Sequence, residues 1–599
     1  MDAIEVPILI VGGGGCGLSC SIFLTDLGVD HLLVERHSTT STLPKAHYLN
    51  QRTMEIFRQH GVADSVYAVG APLKHFGKVS WVTSLGDAGP LYGRTIAEMD
   101  AFGGGSLTST YLRDSPCAPS NYPLIRLEPL LRRHAEERAP GQVRFGHTLS
   151  DWSEDADGVT AVGVNRATGE PYTVRARYVV AADGGKTVGS RLGVRMDGPV
   201  NLLEMVSAHF SADLSKWWDD ECLMTWIIDP ESSNSYGTGA LVQLGPTWGR
   251  DSEEWMMHFT FGPDNPARHD ENAIVPKMLE LLKLPDLDLT VHKVSHWVLE
   301  AVLAERYKMG RFIFAGDAAH RHPPATGIGL NTAVQDAHNL AWKLAAVIQG
   351  RAGDGLLDSY ESERRPVGMH NVDWAMFSAL HHVVLDAGVG LIPGAPAAMR
   401  KAACEAYFAE SPAGEHRRRR AAEAIGVLRA EFQAHDLEIG YPYEAGAVVP
   451  DGSQPPQRDP MGCVHHPTTR PGHRLPHAWI EHLGDQVSTL DLAERGCGFV
   501  LITGSKGAPW CTAASATSKR LGVPIFPVQI GSTSDYSDPE GSWARVCQIG
   551  DDGALLIRPD NHVAFRSARA VAAPETTLVR AMTSVLARTP SAASRFVTR

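Results

Sequence analysis

Three clusters of glycine and acid in this 599-residue chain have the residue types and spacing that hold a dinucleotide. The first is Gly12-x-Gly14-x-x-Gly17, with Gly13 and Gly15 in two of the gaps. There the first glycine permits a tight turn, the second lets backbone approach a pyrophosphate, and the third lets a helix pack closely on a strand. Free N–H groups at the start of that helix meet the phosphate charge. Glu35 and Arg36 follow at the distance where an acid meets ribose hydroxyls. The second cluster is Asp183-Gly184-Gly185. The third is Gly316-Asp317, whose carboxylate can accept from ribose or ribityl hydroxyls. After it, Pro323 to Asn331 (with Pro324, Gly327, Gly329 and Leu330) leads into a helix. The N–H groups at that helix start can face the carbonyl edge of a flavin and stabilise its reduced, negative form. A plain turn or N-cap is the competing role for Asp317. The first cluster alone leaves FAD and NAD both open.

Each cluster needs a strand to deliver it. Val6–Val11 is an apolar run, a helical stretch passes through Leu18, Ile22 and Leu27 to a stop at Gly28, and His31–Val34 reads as a second strand. That is one βαβ unit. Tyr178–Ala182 and Arg311–Ala315 are strands that feed the second and third clusters. Ala333, Ala337, Leu340, Ala341, Leu344, Val347 and Ile348 share one helix face, and Gly350 ends it. Residues 200–300 alternate in short runs rich in Trp and Met, the texture of a sheet over a pocket. Trp217, Trp218, Trp226 and Tyr236 lie there; Tyr236 is a candidate phenol contact, against the commoner role of core packing. Residues 369–435 read as helical, and Gly446–Gly462 as a linker.

The formal net charge is −13, which argues against nucleic acid as partner, and Arg417–Arg420 reads as a solvated helix face. Nine cysteines without a CxxC fit unpaired thiols in a reducing compartment. No basic, apolar leader pattern is seen and no apolar run reaches the ~20 residues of a membrane span. A cytoplasmic protein without membrane association is expected. His320 with His322, and Cys463 with His465 and His466, lack the further ligands that a metal needs. No metal is expected, and His381-His382 reads as helix surface or pocket lining.

Together, Gly12-x-Gly14-x-x-Gly17, Pro44-Lys45-Ala46-His47 leading to Arg52-Thr53-Met54-Glu55, Asp183-Gly184, and Arg311-x5-Gly316-Asp317-Ala318-Ala319-His320 resemble the class A flavoprotein aromatic hydroxylases, in particular the phenol and chlorophenol hydroxylases. The resemblance implies an α/β and α+β protein. A Rossmann-like FAD-binding domain occupies 1–199 and 296–350, a mixed-sheet substrate domain 200–295, and a helical segment 351–445. A linker at 446–462 precedes a C-terminal thioredoxin-like domain at 463–599. Lacking CxxC, that domain cannot run dithiol chemistry and serves structure or dimerisation, so a homodimer is expected. FAD is the implied cofactor, with NADPH or NADH as cosubstrate, and O2 and a small phenolic aromatic as the other reactants.

Carried over, Arg52 contacts the flavin side, Asp183 supports the pyrophosphate region, Asp317 the ribityl chain, and Pro324 lies beside the oxygen-bearing face. One departure stands out. Many relatives have Pro-Gln-x-x-Leu-Glu where this chain has Pro123-Leu124-Ile125-Arg126-Leu127-Glu128, which makes Arg126 a substitute cofactor contact. The implied chemistry is reduction of FAD by NAD(P)H, addition of O2 at flavin C4a, and oxygen transfer to an electron-rich ring. A phenol reacts best once its proton is taken. His47, five residues before Arg52 where phenol hydroxylases carry an aspartate, is the candidate base; a backbone or flavin hydrogen bond is its alternative role. Two other readings share parts of this pattern. One is an FAD monooxygenase tailoring a polycyclic aromatic natural product by hydroxylation or Baeyer–Villiger oxidation. The other is a non-catalytic FAD-binding scaffold.

Overall fold

The computed structural model describes residues 3–588 apart from 232–238, 262–264, 266–269, 494–496 and 533. Tyr236 lies outside the described residues. A sheet of eight strands carries the glycine clusters, with path order Lys308–Met309, Phe312–Phe314, Pro171–Ala181, Ile4–Val11, His31–Glu35, Val143–Phe145. The four pairings from Phe312–Phe314 to Val143–Phe145 are parallel. Parallel strands are buried on both faces, which is why Ile8, Leu9, Ile10, Leu32 and Leu33 form an unbroken apolar set at 0% exposure. The helix Gly15–Asp26 is buried nearly all round, packed between the sheet and the long helix Ile328–Ile348.

A second sheet has seven strands. Its order is Leu289–Leu299, Leu203–Ala212, Glu254–Phe259, Gly239–Gly245, Cys222–Ile227, Lys78–Val82, Thr95–Asp100. The last two come from within the first two hundred residues, a crossing between distant segments that local alternation does not reveal. Alternation sorts the two faces. Val206, Ala208, Phe210, Trp255, Met257 and Phe259 pack on the helix Ile274–Leu282. Trp218 belongs to that rear core and Trp217 packs against it, so neither clasps a substrate. Ser207, His258 and Trp226 project from the opposite face.

The C-terminal sheet runs Ile525–Gln529, Phe499–Thr503, Ala554–Ile557, Val563–Ser567, and the helices Ala508–Leu521 and Pro574–Val585 pack together beside it. It is the thioredoxin-like arrangement without its dithiol. The unit docks through buried charge. Arg558 donates to both oxygens of Glu363 at 2.8 Å and to Asp560 at 2.9 Å. Lys343 donates to Glu363 at 2.7 Å, and Asn339 bridges Glu363 and Asp560. Arg474 meets Glu55 from the same side. Among the described residues no helix is long and apolar enough to cross a membrane.

Candidate active site

The three clusters converge. A Cβ on Gly15 would stand 2.8 Å from Leu330 Cδ1 and 3.7 Å from Leu124 Cδ1; one on Gly316 would stand 3.1 Å from Cys16 Cβ and 3.2 Å from Ala333 Cβ. The glycine-rich turn, the Gly316-Asp317 turn and the start of the helix Ile328–Ile348 therefore border one cleft. Gly12, at φ +114°, has no room for a side chain against the Ala182 carbonyl, and Gly17 has none against the Gly12 carbonyl. Gly14 is different. Only Glu128 Oε1, at 3.4 Å, would touch a Cβ there, so the space in front of it is open.

Two helices present uncapped N-termini here. Gly14 and Gly327 are their N-cap residues, no side chain caps either, and no acid sits in either first turn. Apart from the Gly15 N–H, which Glu128 takes, the N–H groups of these first turns are free to attract anions, as a pyrophosphate at one end and a reduced isoalloxazine at the other would require. Thr326 and Gly327 both adopt positive φ, 66°, which turns the chain sharply into the second helix. Asn331 locks that turn: its amide donates to the Tyr48 and Gly327 carbonyls at 3.0 and 2.7 Å and accepts from Asn50 N–H at 2.9 Å. Gly329 and Leu330 remain partly exposed at the helix start, and Pro324, exposed, accepts the Gly327 N–H at 3.1 Å. This chain's own residues thus form a cradle that fits FAD.

The acids divide in role. Asp317 is exposed, and no hydrogen bond to its carboxylate is found among the described residues, which leaves it open to a ligand hydroxyl. Glu35 accepts the Gly13 N–H at 2.8 Å and the His37 ring at 2.7 Å, at the rim beside exposed Arg36. Asp183 accepts the N–H groups of Gly185, Thr187 and Val188 at 3.1, 2.7 and 2.8 Å, so it shapes its turn and caps the short helix after it. Glu128, missed as a site residue, accepts Gly15 N–H at 3.2 Å and Ser41 N–H at 2.8 Å and braces the glycine turn. Burial raises its pKa, opposed by those two N–H groups and by the Lys45 ammonium.

Two expected cofactor contacts lie elsewhere. Arg52 is 1% exposed, donating to Glu55 at 3.0 Å and to the Asp560 carbonyl at 2.8 Å. Its guanidinium is held in the C-terminal docking network, because the helix Gln51–Gln59 turns this position away from the cleft. Arg126 donates to the Leu244 carbonyl at 2.6 Å and pairs with Glu254 at 2.8 Å. Its long stem reaches the seven-stranded sheet, so it ties that sheet to the helix Leu124–Arg138.

His47 stands where the Tyr48–Leu49 strand meets Ser120–Asn121, its Nδ1 2.8 Å from Asn121 Oδ1. An amide oxygen only accepts, so Nδ1 carries the hydrogen and Nε2 keeps a lone pair. Desolvation lowers the His47 pKa, with the Asn121 bond opposing it. His258 faces the same region. Its pKa is lowered to about 4 by desolvation and then by the proximity of His47. Both rings keep partial exposure although protein surrounds them, as residues lining an internal space do. From the cleft an aromatic wall runs through Tyr48, Phe102 and Phe432 to Trp81 and His382, and His382 packs on Trp226 at 4.4 Å. Behind Tyr48 its hydroxyl donates to Glu438 at 2.9 Å, and burial raises the Glu438 pKa to about 8, so this carboxyl stays protonated at neutral pH.

Three other histidines bond carboxylates. His320 bonds Asp336 at 2.7 Å, beside His322; His465 bonds Asp436 at 3.0 Å; His382 bonds Glu431 at 2.7 Å. No metal-holding group of side chains is found among the described residues.

The cradle sets a test for the FAD placement. Gly14→Ala puts a methyl group into the open space before the glycine turn, and Asp317→Ala removes a free acceptor. Both are expected to yield protein that loses its yellow colour on gel filtration. Full FAD content at unchanged affinity in both variants, measured by flavin fluorescence titration, would remove the cofactor from this cleft.

Comparison with known proteins agrees with this geometry. The FAD binding domain family matches residues 5–375, and the aromatic-ring hydroxylase C-terminal family matches 468–589. Phenol 2-monooxygenase of Pseudomonas sp. (strain EST1001) is 33% identical over 96% of this chain and 92% of its own length. The 2,4-dichlorophenol 6-monooxygenase of Cupriavidus pinatubonensis (strain JMP 134 / LMG 1197) is 33% identical over 98% and 97%. The crystal structure of the flavin-dependent monooxygenase PieE, in complex with FAD and substrate, superposes with a TM-score of 0.91 at 36% identity, covering 98% of this chain and 100% of that one. The chain therefore belongs to the FAD-dependent aromatic-ring hydroxylases, a family of flavoprotein monooxygenases.

Proposed function

We propose that this enzyme hydroxylates a phenol, consuming O2 and NADPH or NADH, with His47 as the base that prepares the ring. The observation that carries the reading is the 2.8 Å contact of His47 Nδ1 with the Asn121 amide oxygen, which assigns the hydrogen to Nδ1 and leaves Nε2 as a proton acceptor in desolvated surroundings. The net change is one phenol, one O2, one reduced nicotinamide and a proton giving a dihydroxylated ring, water and oxidised nicotinamide. Bound FAD supplies the hydride acceptor and the site of oxygen activation. Gly14 and the start of the helix Gly15–Asp26 would hold its phosphates, Asp317 its hydroxyl-bearing chain, and the N–H groups of Gly329 and Leu330 its carbonyl edge.

His47 takes the phenolic proton onto Nε2, and the phenolate pushes electron density into the ring. Because burial disfavours the charged imidazolium, His47 readily gives that proton up to the second oxygen atom of O2, which leaves as water. The aromatic wall excludes water around the ring that reacts. The two relatives whose names specify phenol and dichlorophenol support a phenolic substrate here. A panel of substituted phenols tests the reading, scored by NADPH and O2 consumption. The expected result is consumption that rises several-fold with at least one phenol and yields product heavier by one oxygen. NADPH oxidation indifferent to every phenol would overturn it.

A further inference from the structure

The second histidine of the pocket has no part in the reading above, yet its surroundings fix it as tightly as those of His47. His258 Nδ1 lies 2.7 Å from Ser207 Oγ, and the Trp297 indole Nε1 lies 2.8 Å from the same oxygen. Indole N–H only donates, so it occupies one lone pair of Ser207. The serine hydrogen then has a single acceptor among the described residues, His258 Nδ1. The imidazole is thereby held neutral with its hydrogen on Nε2, and Nε2–H has no partner among the described residues. The three residues come from separate strands, Ser207 from Leu203–Ala212, His258 from Glu254–Phe259 and Trp297 from Leu289–Leu299. Ser207 and His258 are direct partners across the sheet, so the backbone register sets this contact.

His258 cannot belong to the rear core, because its neighbours Trp255, Met257 and Phe259 point there and strand alternation sends it to the other face. Burial and the proximity of His47 lower its pKa, which keeps the ring neutral. The two rings therefore offer opposite functions. His47 Nε2 accepts a hydrogen bond; His258 Nε2–H donates one.

We propose that His258 is a substrate-binding residue that selects phenols carrying a second oxygen acceptor, a carbonyl ortho or peri to the hydroxyl. The inference rests on the phenol reading above. The hydroxyl gives its proton to His47 while the neighbouring carbonyl accepts from His258. Ser207 and Trp297 are positioning residues that keep the donor on Nε2. A ring with no second oxygen leaves this desolvated donor unpaired, which costs affinity, whereas a matched pair gains it.

The test uses the FAD-loaded enzyme and two probes of nearly equal shape, 2′-hydroxyacetophenone and 2-isopropenylphenol, in which CH2 replaces the carbonyl oxygen. Binding is read from the flavin absorbance change, without turnover. The wild type is expected to prefer the ketone by roughly tenfold. His258→Leu abolishes the preference, and His258→Gln, which keeps a side-chain N–H, restores part of it. Ser207→Ala frees the tautomer and reduces the preference while FAD content and the binding of 2-isopropenylphenol stay at wild-type levels; this variant decides the matter if His258→Leu does not fold. A wild type without preference, or a preference that survives both His258→Leu and Ser207→Ala, overturns the role of His258 and leaves the phenol reading standing. Failure of both probes, and of every phenol in the panel, to perturb the flavin overturns both.

Discussion

Replacing His47 by alanine lowers hydroxylation by about 10²–10⁴-fold, the loss expected when a positioned base is removed. FAD stays bound, because the glycine turn, Asp317 and the start of the helix Ile328–Ile348 make no side-chain hydrogen bond to His47. Reduction by NADPH persists as well. Oxygen activated beside a phenol that keeps its proton is released as hydrogen peroxide, so product formed per NADPH consumed falls. The pH profile carries a sign. Desolvation lowers the His47 pKa, so the base is neutral and competent above that lowered value and is lost only as pH falls through it. The acid limb of kcat in the wild type therefore lies below the ordinary histidine value of about 6.5. In His47→Ala that limb disappears. An unchanged ratio of product to NADPH with an unchanged profile would make His47 structural.

Arg558→Ala is expected to be the most destabilising single change outside the cofactor cleft. Arg558 is 0% exposed and joins Glu363 to Asp560, so its removal leaves two buried carboxylates short of their main cation. Breaking a buried pair from one side typically costs about 3–5 kcal/mol. Lys343 and Asn339 of the helix Ile328–Ile348 share these carboxylates, so the damage reaches the helix whose other end borders the candidate cofactor cleft. Urea unfolding followed by tryptophan fluorescence is expected to show an earlier transition, with faster proteolytic cutting within 446–462. Wild-type unfolding and wild-type proteolysis in this variant would mean that the network contributes nothing net.

The same network sets acid sensitivity. Burial pushes Glu363 and Glu55 upward, but Arg558 with Lys343, and Arg474 with Arg52, pull them down to about 2. Carboxylates depressed in the folded state stabilise it fully above their unfolded values near 4.3 and lose that effect as pH falls towards 2. Docking of the C-terminal unit should therefore weaken across that window and not near neutrality.

The cofactor cleft was legible because its requirements are local. A turn that must admit a pyrophosphate needs Gly12, Gly14 and Gly17 within six residues, and a strand must deliver them; both facts are written contiguously. Asp317 and the Gly327–Asn331 turn follow the same rule. Arg52 and Arg126 were misplaced for the opposite reason. Each sits beside a recognisable motif, but a long guanidinium goes where unpaired carbonyls and carboxylates are. Those belong to Asp560 and Glu55 in one case, and to Leu244 and Glu254 in the other.

By itself the sequence determined the βαβ unit, the dinucleotide turn, the flavin helix and His47 as a candidate base, since each depends on residues a few positions apart. Only the tertiary structure decided what stands opposite His47. Asn121, Ser207, His258 and Trp297 lie 74, 160, 211 and 250 positions further along the chain, and no periodicity links them. Asn121 meets His47 through the pairing of Tyr48–Leu49 with Ser120–Asn121, whereas Ser207, His258 and Trp297 meet because two antiparallel pairings fix the register of the larger sheet, where a shift of one residue would turn His258 into the rear core.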